Sequence, residues 1–400
     1  MLCKRVFFKL FQKVEKVNID LNPSKEVTIM DALSLHQALS GKYRIISPIE
    51  VTSDNLSLLY TPGVAKVAQA CAEIPNNTFL YTRRNNVIAV ISDGSAVLGL
   101  GNIGPYGALP VMEGKAMLFK EFGNLDAFPL CISTQDSDEI VKIVKALEPS
   151  FGGINLEDIS APRCFEILRK LDAEMTIPVF HDDQQGTAVV VLAGVINALN
   201  LVGKKLDEVK IVVNGIGAAG YNIVKLLIEF GARHILACDI HGILNGETSL
   251  HDCHREIAKL TNPNDAKGTL SDALEDADLF IGVSKGNILN GDDVKRMNKK
   301  PIIFALANPL PEIDPNLAYE NGAFIVATGR SDFPNQVNNL LVFPGIMKAA
   351  VEKQKKITKQ MLVEAAITIS KSVEPSKDMI VPIATDRRVH IGVYERLAHM

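Results

Sequence analysis

KIVVNGIGAAG, residues 210–220, is a short β-branched run that ends in three spaced glycines. An apolar run of this length reads as a strand buried on both faces of a parallel sheet. Gly215, Gly217 and Gly220 form a Gly-x-Gly-x-x-Gly turn, and a helix is expected from about Gly220 to Phe230, stopped by Gly231. The next strand, HILACD (234–239), ends on Asp239, which lies 239 − 220 = 19 residues after the last glycine. Strand, glycine turn, helix and an acidic strand end at this distance form a dinucleotide-binding arrangement. Gly215 makes the tight turn, Gly217 lets a pyrophosphate approach the backbone, and Gly220 lets helix and strand pack closely. Ile216, Ala218 and Ala219 complete the loop, and the helix N-terminus faces the anion. Asp239 would accept a hydrogen bond from the adenosine ribose 2′-hydroxyl and repel a 2′-phosphate. No Lys or Arg follows in Ile240-His241-Gly242, so NAD is expected rather than NADP.

Working outward, strands are expected at DLFIGV (278–283), PIIFALA (301–307) and AFIVAT (323–328). Their alternation with helical stretches predicts an α/β, Rossmann-type doubly wound parallel sheet with helices on both faces. The first half shows NVIAVIS (86–92) as a strand and DEIVKIVKAL (138–147) as an amphipathic helix, consistent with a mixed α/β domain. The boundary is placed near residue 184, giving domains 1–184 and 185–400, with a helical tail from Pro344. A second Gly-x-Gly-x-x-Gly, at Gly99, Gly101 and Gly104, has weaker context. Pro105 and Pro110 obstruct an immediate helix, so it reads as a tightly packed loop that could border a substrate. Residues 186–203 carry no charge; a helix buried between the two halves is preferred over a membrane span.

Composition narrows the class. The 400 residues are 47% hydrophobic and 22% charged, ample for two cores and unlike a disordered chain. The net charge, 42 − 46 = −4, offers no basic face for nucleic acid. Six scattered cysteines (Cys3, Cys71, Cys131, Cys164, Cys238, Cys253) contain no C-x-x-C pair and favour a reducing, cytoplasmic setting. His251-Asp252-Cys253-His254, with His241 upstream, is read as a solvated helix start rather than a metal cluster. Residues 1–17 interleave five Lys/Arg with apolar side chains; a cationic surface helix is preferred over an organelle-targeting segment.

Two acidic pairs stand near the boundary: Glu157-Asp158, and Asp182-Asp183 after His181. Such carboxylates suit a hard divalent cation, Mg²⁺ or Mn²⁺; exposed loop caps are the alternative. Lys115 enters an apolar helical stretch after Gly114, where desolvation would lower its pKa toward the range of a general base; a snorkelling surface lysine is the bland alternative. Tyr60 precedes a Pro-Gly turn and by itself reads as packing.

YTPGVA (60–65), VLGLGNIG (97–104), PVMEGKAMLF (110–119), FGGINLEDI (151–159), IPVFHDDQ (177–184), NGIGAAG (214–220), FALANPLPEI (304–313) and GRSDFPNQVNN (329–339) together resemble the malic enzyme family in its short microbial form. The resemblance runs from about residue 30 to the C-terminus. It implies an N-terminal substrate domain, a C-terminal NAD(P)-binding domain, and oxidative decarboxylation of L-malate to pyruvate and CO₂ with NAD or NADP and Mg²⁺ or Mn²⁺. It also implies a homodimer. By matching motifs, Lys115 would be the general base, Tyr60 the acid that protonates C3, and Asp182 the group that orients Lys115. Glu157, Asp158 and Asp183 would hold the metal, and Asn308 and Asn339 would lie near substrate and nicotinamide. Ala96 stands where larger eukaryotic members carry an arginine, which leaves main-chain amides near Gly99 to Gly104 as candidates for the free carboxylate. Gln185 stands where a His is common. The competing readings are a malolactic-type lyase that retains NAD, and a non-catalytic dinucleotide-binding protein.

Overall fold

The computed structural model describes residues 32–97, 99–247 and 251–400. The basic segment 1–17 and Cys3 lie outside the described residues. The chain divides into two units, Met1–Arg44 and Ile45–Met400, described separately. In the first, helix α1 spans Ala32–Leu39.

The second unit holds two sheets. Strands β1 (Val87–Ser92), β2 (Asp126–Cys131), β3 (Gly153–Leu156) and β4 (Val179–His181) form a parallel sheet in the order β2-β1-β3-β4. Strands β5 (Lys210–Asn214), β6 (His234–Asp239), β7 (Gly242–Ile243), β8 (Leu279–Gly282), β9 (Ile302–Ala305) and β10 (Ile325–Thr328) form the other, in the order β10-β9-β8-β5-β6-β7. Only the β6–β7 pair is antiparallel. Each sheet reverses direction once, between β1 and β3 and between β5 and β8, and parallel α/β sheets open a ligand crevice at the strand C-termini of such a reversal. The two crevices are therefore walled by the loops after Ser92 and Leu156, and after Asn214 and Gly282.

Every strand expected from the sequence is present. Strand β2 was hidden because it contains Pro129; it sits at the sheet edge, where a missing N–H costs little. The expectation about Pro105 and Pro110 is corrected. Helix α2 (Val64–Glu73) is followed by α3, which spans Gly104–Gly123 and starts at the last glycine of the first loop. Pro105 occupies the first turn, whose N–H groups have no intrahelical acceptor. Pro110 lies on an exposed face, where its ring meets solvent.

Helices α4 (Ser137–Leu147) and α5 (Arg163–Glu174) cover one face of the first sheet. After β4 the chain makes a π-helical turn, Asp182–Gly186, and runs into α6 (Thr187–Val202). Together these form the one segment among the described residues long and apolar enough to cross a membrane. It is a core helix: most of α6 is buried, and Asn197 Nδ2 donates to the carbonyls of Ser370 and Ile380 at 2.9 Å each. Helix α7 spans Ala218–Phe230 and α8 Asp252–Thr261. The tail forms α9 (Phe343–Lys353), α10 (Lys359–Lys371) and α11 (Arg387–Ala398). It packs back on the first half: Phe343 lies 4.7 Å from Phe119 of α3, ring centroid to ring centroid. One hydrophobic core joins α3, α6, β5 and the tail.

Candidate active site

Lys115 lies in the fourth turn of α3 with a side chain 10% exposed. Its Nζ is 2.5 Å from Asp182 Oδ2, 2.9 Å from Glu157 Oε1 and 4.2 Å from the centre of the Phe343 ring. Glu157 follows β3 at the sheet reversal, and Asn155 Nδ2 holds its other oxygen at 2.9 Å. Asp182 opens the π-helical turn. That turn needs Gly186, because a Cβ there would fall 1.8 Å from Asp182 Oδ1. Extra-wide helical turns of this kind recur at functional sites, where they re-aim a side chain. Here Asp182 turns to Lys115, while its neighbour Asp183 accepts from the Asp158 N–H at 2.8 Å.

Glu157, Asp158 and Asp183 each present a carboxylate oxygen within 4.8 Å of the other two. Counting Asp182, four carboxylates face one ammonium, −4 + 1 = −3 when all are ionised. Burial raises the pKa of Glu157 and of Asp183. Burial, Asp183 and Glu157 together push Asp158 up to about 9. Asp158 Oδ2 is buried without a hydrogen-bond partner. Three hard oxygen donors, mutually repelling, with one oxygen unspent, fit a divalent Mg²⁺ or Mn²⁺ ion. Burial alone would lower the Lys115 pKa, but Asp182 and Glu157 outweigh it and hold the ammonium above its ordinary value. The drop expected from the sequence is thus reversed by two ion pairs, one of them with Glu157, which belongs to both groups.

Asn339 is brought to this site: its Cβ lies 3.5 Å from where a Cβ on Gly186 would be. Asn308 is brought to the first glycine loop. A Cβ on Gly99 would fall 2.3 Å from the Asn308 carbonyl oxygen, and the Asn308–Pro309 peptide is cis. Among the described residues, no hydrogen bond or ring contact joins Tyr60 to Lys115. Tyr60 caps a one-turn helix (Leu56–Leu59) and is 67% exposed. The Ala96 N–H donates to the Asp158 carbonyl at 3.0 Å. Within the loop that follows, the amides of Leu100, Ile103 and Gly104 bond to Val97 and Gly94 carbonyls. Those of Gly99, Gly101 and Asn102 are the ones not spent on these turn bonds. Gln185 accepts from the His181 N–H at 3.0 Å, closing the turn.

The second glycine loop has the three properties expected of it. Gly215 has φ +99°, and a Cβ there would strike Ser284. Gly217 faces open space, and a Cβ on Gly220 would fall 1.9 Å from the Gly215 carbonyl oxygen. The loop lies at the β5–β8 reversal and opens α7, with Asp239 ending the neighbouring β6. Asn222 of α7 donates to Gln184 Oε1 at 3.1 Å, tying this helix to the turn that carries Asp182 and Asp183.

Sequence reasoning missed Asn155, Phe343 and His181 as parts of the site. His181 is wholly buried, its Nδ1 lies 3.8 Å from Asp183 Oδ2, and neither ring nitrogen has a hydrogen-bond partner. Burial lowers its pKa to about 4, so the ring is neutral. A histidine directly before an acidic pair was the available signal.

Comparison with known proteins gives a consistent result. Residues 42–172 match the malic enzyme N-terminal domain and residues 184–389 the malic enzyme NAD binding domain. An NAD-dependent malic enzyme of Geobacillus stearothermophilus is 54% identical over 357 residues, 88% of this chain and 74% of that one. A bifunctional malic/malolactic enzyme of Bacillus subtilis is 50% identical over 375 residues, 92% of each chain. The crystal structure of the NAD-dependent malic enzyme of Thermotoga maritima superposes with a TM-score of 0.91 at 63% identity, covering 92% of this chain and 99% of that one.

Proposed function

The chain belongs to the malic enzyme family, and from that premise we propose that it oxidises and decarboxylates L-malate to pyruvate and CO₂, reducing NAD and requiring Mg²⁺ or Mn²⁺. The observation that carries this reading is the buried Lys115, paired with Glu157 of a three-carboxylate cluster, in a chain that also builds a dinucleotide loop. The loop at Gly215–Gly220 would hold the dinucleotide, which would supply a hydride acceptor, and Glu157, Asp158 and Asp183 would hold the divalent ion, which would supply a Lewis acid for the substrate oxygens. Lys115, once it has given its own proton to solvent, takes the C2 hydroxyl proton, and Asp182 keeps its Nζ aimed. The C3–C4 bond then breaks, CO₂ leaves, and C3 gains a proton, a role that falls to Tyr60. Asn339 and Asn308 border the substrate and nicotinamide ends of the site.

Tyr60 stands on an apolar surface. Ile45, Leu58 and Leu80 are each more than two-thirds exposed, and the helices Leu56–Leu59, Val64–Glu73 and Thr78–Tyr81 bury no residue. This exposed apolar surface supports a homodimer, in which a second copy of the chain would cover it. Sedimentation equilibrium tests it: a monomer at micromolar concentration overturns the dimer.

The test of the activity is absorbance at 340 nm with L-malate and either NAD or NADP, with and without Mn²⁺. Mn²⁺-dependent NADH formation is expected. The Bacillus subtilis relative, named for both activities, favours one second reading: malate converted to lactate and CO₂ with no net redox change. Lactate accumulation without NADH would replace the first reading by the second.

A further inference from the structure

His254 sits in the first turn of α8, inside the group of histidines read from the sequence as a solvated helix start. The helix start is there, but this one ring is turned inward. Its Nε2 lies 3.1 Å from the carbonyl oxygen of Ile216, in the middle of the second glycine loop. Its Nδ1 lies 3.6 Å from Oδ2 of Asp239, and the two side chains are 15% and 10% exposed. A carbonyl only accepts, so Nε2 carries the hydrogen in that bond. Nδ1 is buried without a hydrogen-bond partner and faces the carboxylate. Asp239 spends its other oxygen, Oδ1, on the His241 N–H at 2.7 Å. Oδ2 is therefore the oxygen left for a ligand hydroxyl, and His254 forms one wall beside it.

We propose that His254 is a specificity-determining positioning residue, whose ring, anchored to the glycine loop, backs the Asp239 carboxylate so that the site takes a dinucleotide with a free ribose 2′-hydroxyl and refuses one with a 2′-phosphate. This rests on the function proposed above and deepens it. Two elements contact the dinucleotide: the loop at the pyrophosphate and Asp239 at the ribose. The imidazole is held to the loop by its bond to the Ile216 carbonyl and stands 3.6 Å behind the carboxylate, filling the space into which Oδ2 would otherwise rotate. Asp239 alone discriminates by charge, and a carboxylate free to rotate could turn Oδ2 away from a 2′-phosphate. With the ring behind it, that escape is closed.

The test is calorimetric binding of NADH and NADPH to the full-length protein, together with steady-state kcat and KM for NAD and NADP. His254→Ala should raise the NADH Kd about tenfold, the weight of one hydrogen bond to a constrained site, while NADPH binding changes less than threefold. KM for NAD should rise with kcat within twofold. His254→Gln, which can still donate to Ile216, should restore most of the NADH affinity, and His254→Asn, too short to reach, should not. In an Asp239→Ser background, His254→Ala should change the NADH:NADPH ratio less than twofold, because the two residues act as a unit. An unchanged ratio in His254→Ala, or an undiminished effect in the Asp239→Ser background, overturns the proposal. Failure of the unaltered protein to bind either dinucleotide would instead overturn the functional reading beneath it.

Discussion

Two loops with the same glycine spacing, 99–104 and 215–220, each open a helix, yet they are built differently. In the second loop the glycines follow β5 without a gap. Only Gly215 has positive φ, Gly220 is pressed against Gly215, and Gly217 looks into open space. In the first loop six residues, 93 to 98, separate the strand end from the first glycine of the motif, and all three glycines have φ between +71° and +77°. Gly99 is pressed against Asn308, and Gly94 against Gly104. The second loop is an anion cradle. The first is a packed turn that aims α3, and with it Lys115, at the carboxylates. The spacing of glycines is therefore not what makes a phosphate loop. Direct continuity with a buried strand, and an uncovered middle glycine whose φ is negative, make it.

The largest effect should separate the two loops by function. Lys115→Ala removes the ammonium that pairs with both Asp182 and Glu157. Turnover of malate should fall by about 10³-fold, the scale of lost general acid–base catalysis, while NADH binding at the second loop stays within twofold. A variant that kept a tenth of its activity would reduce the first loop and α3 to scaffolding.

Next is the cluster that the first loop braces through the Ala96–Asp158 bond. Asp158 has φ +54°, a conformation that Asn tolerates, so Asp158→Asn tests charge with little strain. Mn²⁺-dependent turnover should drop about 100-fold. In chelator, the variant should melt about 2 °C higher than the parent, because one of three mutually repelling carboxylates is gone. Mn²⁺ should raise the melting temperature of the parent and leave that of the variant nearly fixed. A lower melting temperature in chelator would show that Asp158 is held by something other than a cation.

Smaller again is Gly220→Ala. The new Cβ would meet a backbone oxygen at 1.9 Å, with no flexible side chain to yield, so strand and helix must part. A loss of about 2 kcal/mol in stability and weaker NADH binding are expected, measured by denaturant unfolding and calorimetry. A neutral result would break the claim that the second loop is tight.

How far the sequence showed all this differs between the halves. The second half was legible because its signals are local: KIVVN, three glycines and an acidic strand end fall within 30 residues. The site was legible in its parts, as two acidic pairs and a lysine. Its assembly was not, because Lys115 and Asp182 are 67 residues apart and meet only through the β1–β3 reversal. Nothing in a pair of adjacent aspartates says that Asp182 turns to Lys115 and Asp183 to Asp158. The π-helical turn decides that, and a sequence does not announce one. Pro110 misled for a related reason: it removes one hydrogen bond inside α3, and the packing of Met112, Ala116 and Phe119 in the core holds the helix across that gap.

The smallest expected effects give the sharpest comparison, because Gly101 and Gly217 hold the same place in the two motifs and both face open space. A Cβ clashes with nothing at either position. Gly101 has φ +77°, where an alanine is strained, whereas Gly217 has φ −89°, which any residue adopts. Gly101→Ala should therefore cost about 1 kcal/mol of stability and leave the NADH Kd unchanged. Gly217→Ala should leave stability unchanged and weaken NADH binding about fivefold, because its methyl group occupies the space through which a pyrophosphate reaches the backbone. The two variants should thus cross, each silent in the measurement that the other moves. If both weakened NADH binding alike, the first loop would also hold the dinucleotide, and the distinction between cradle and packed turn would fall.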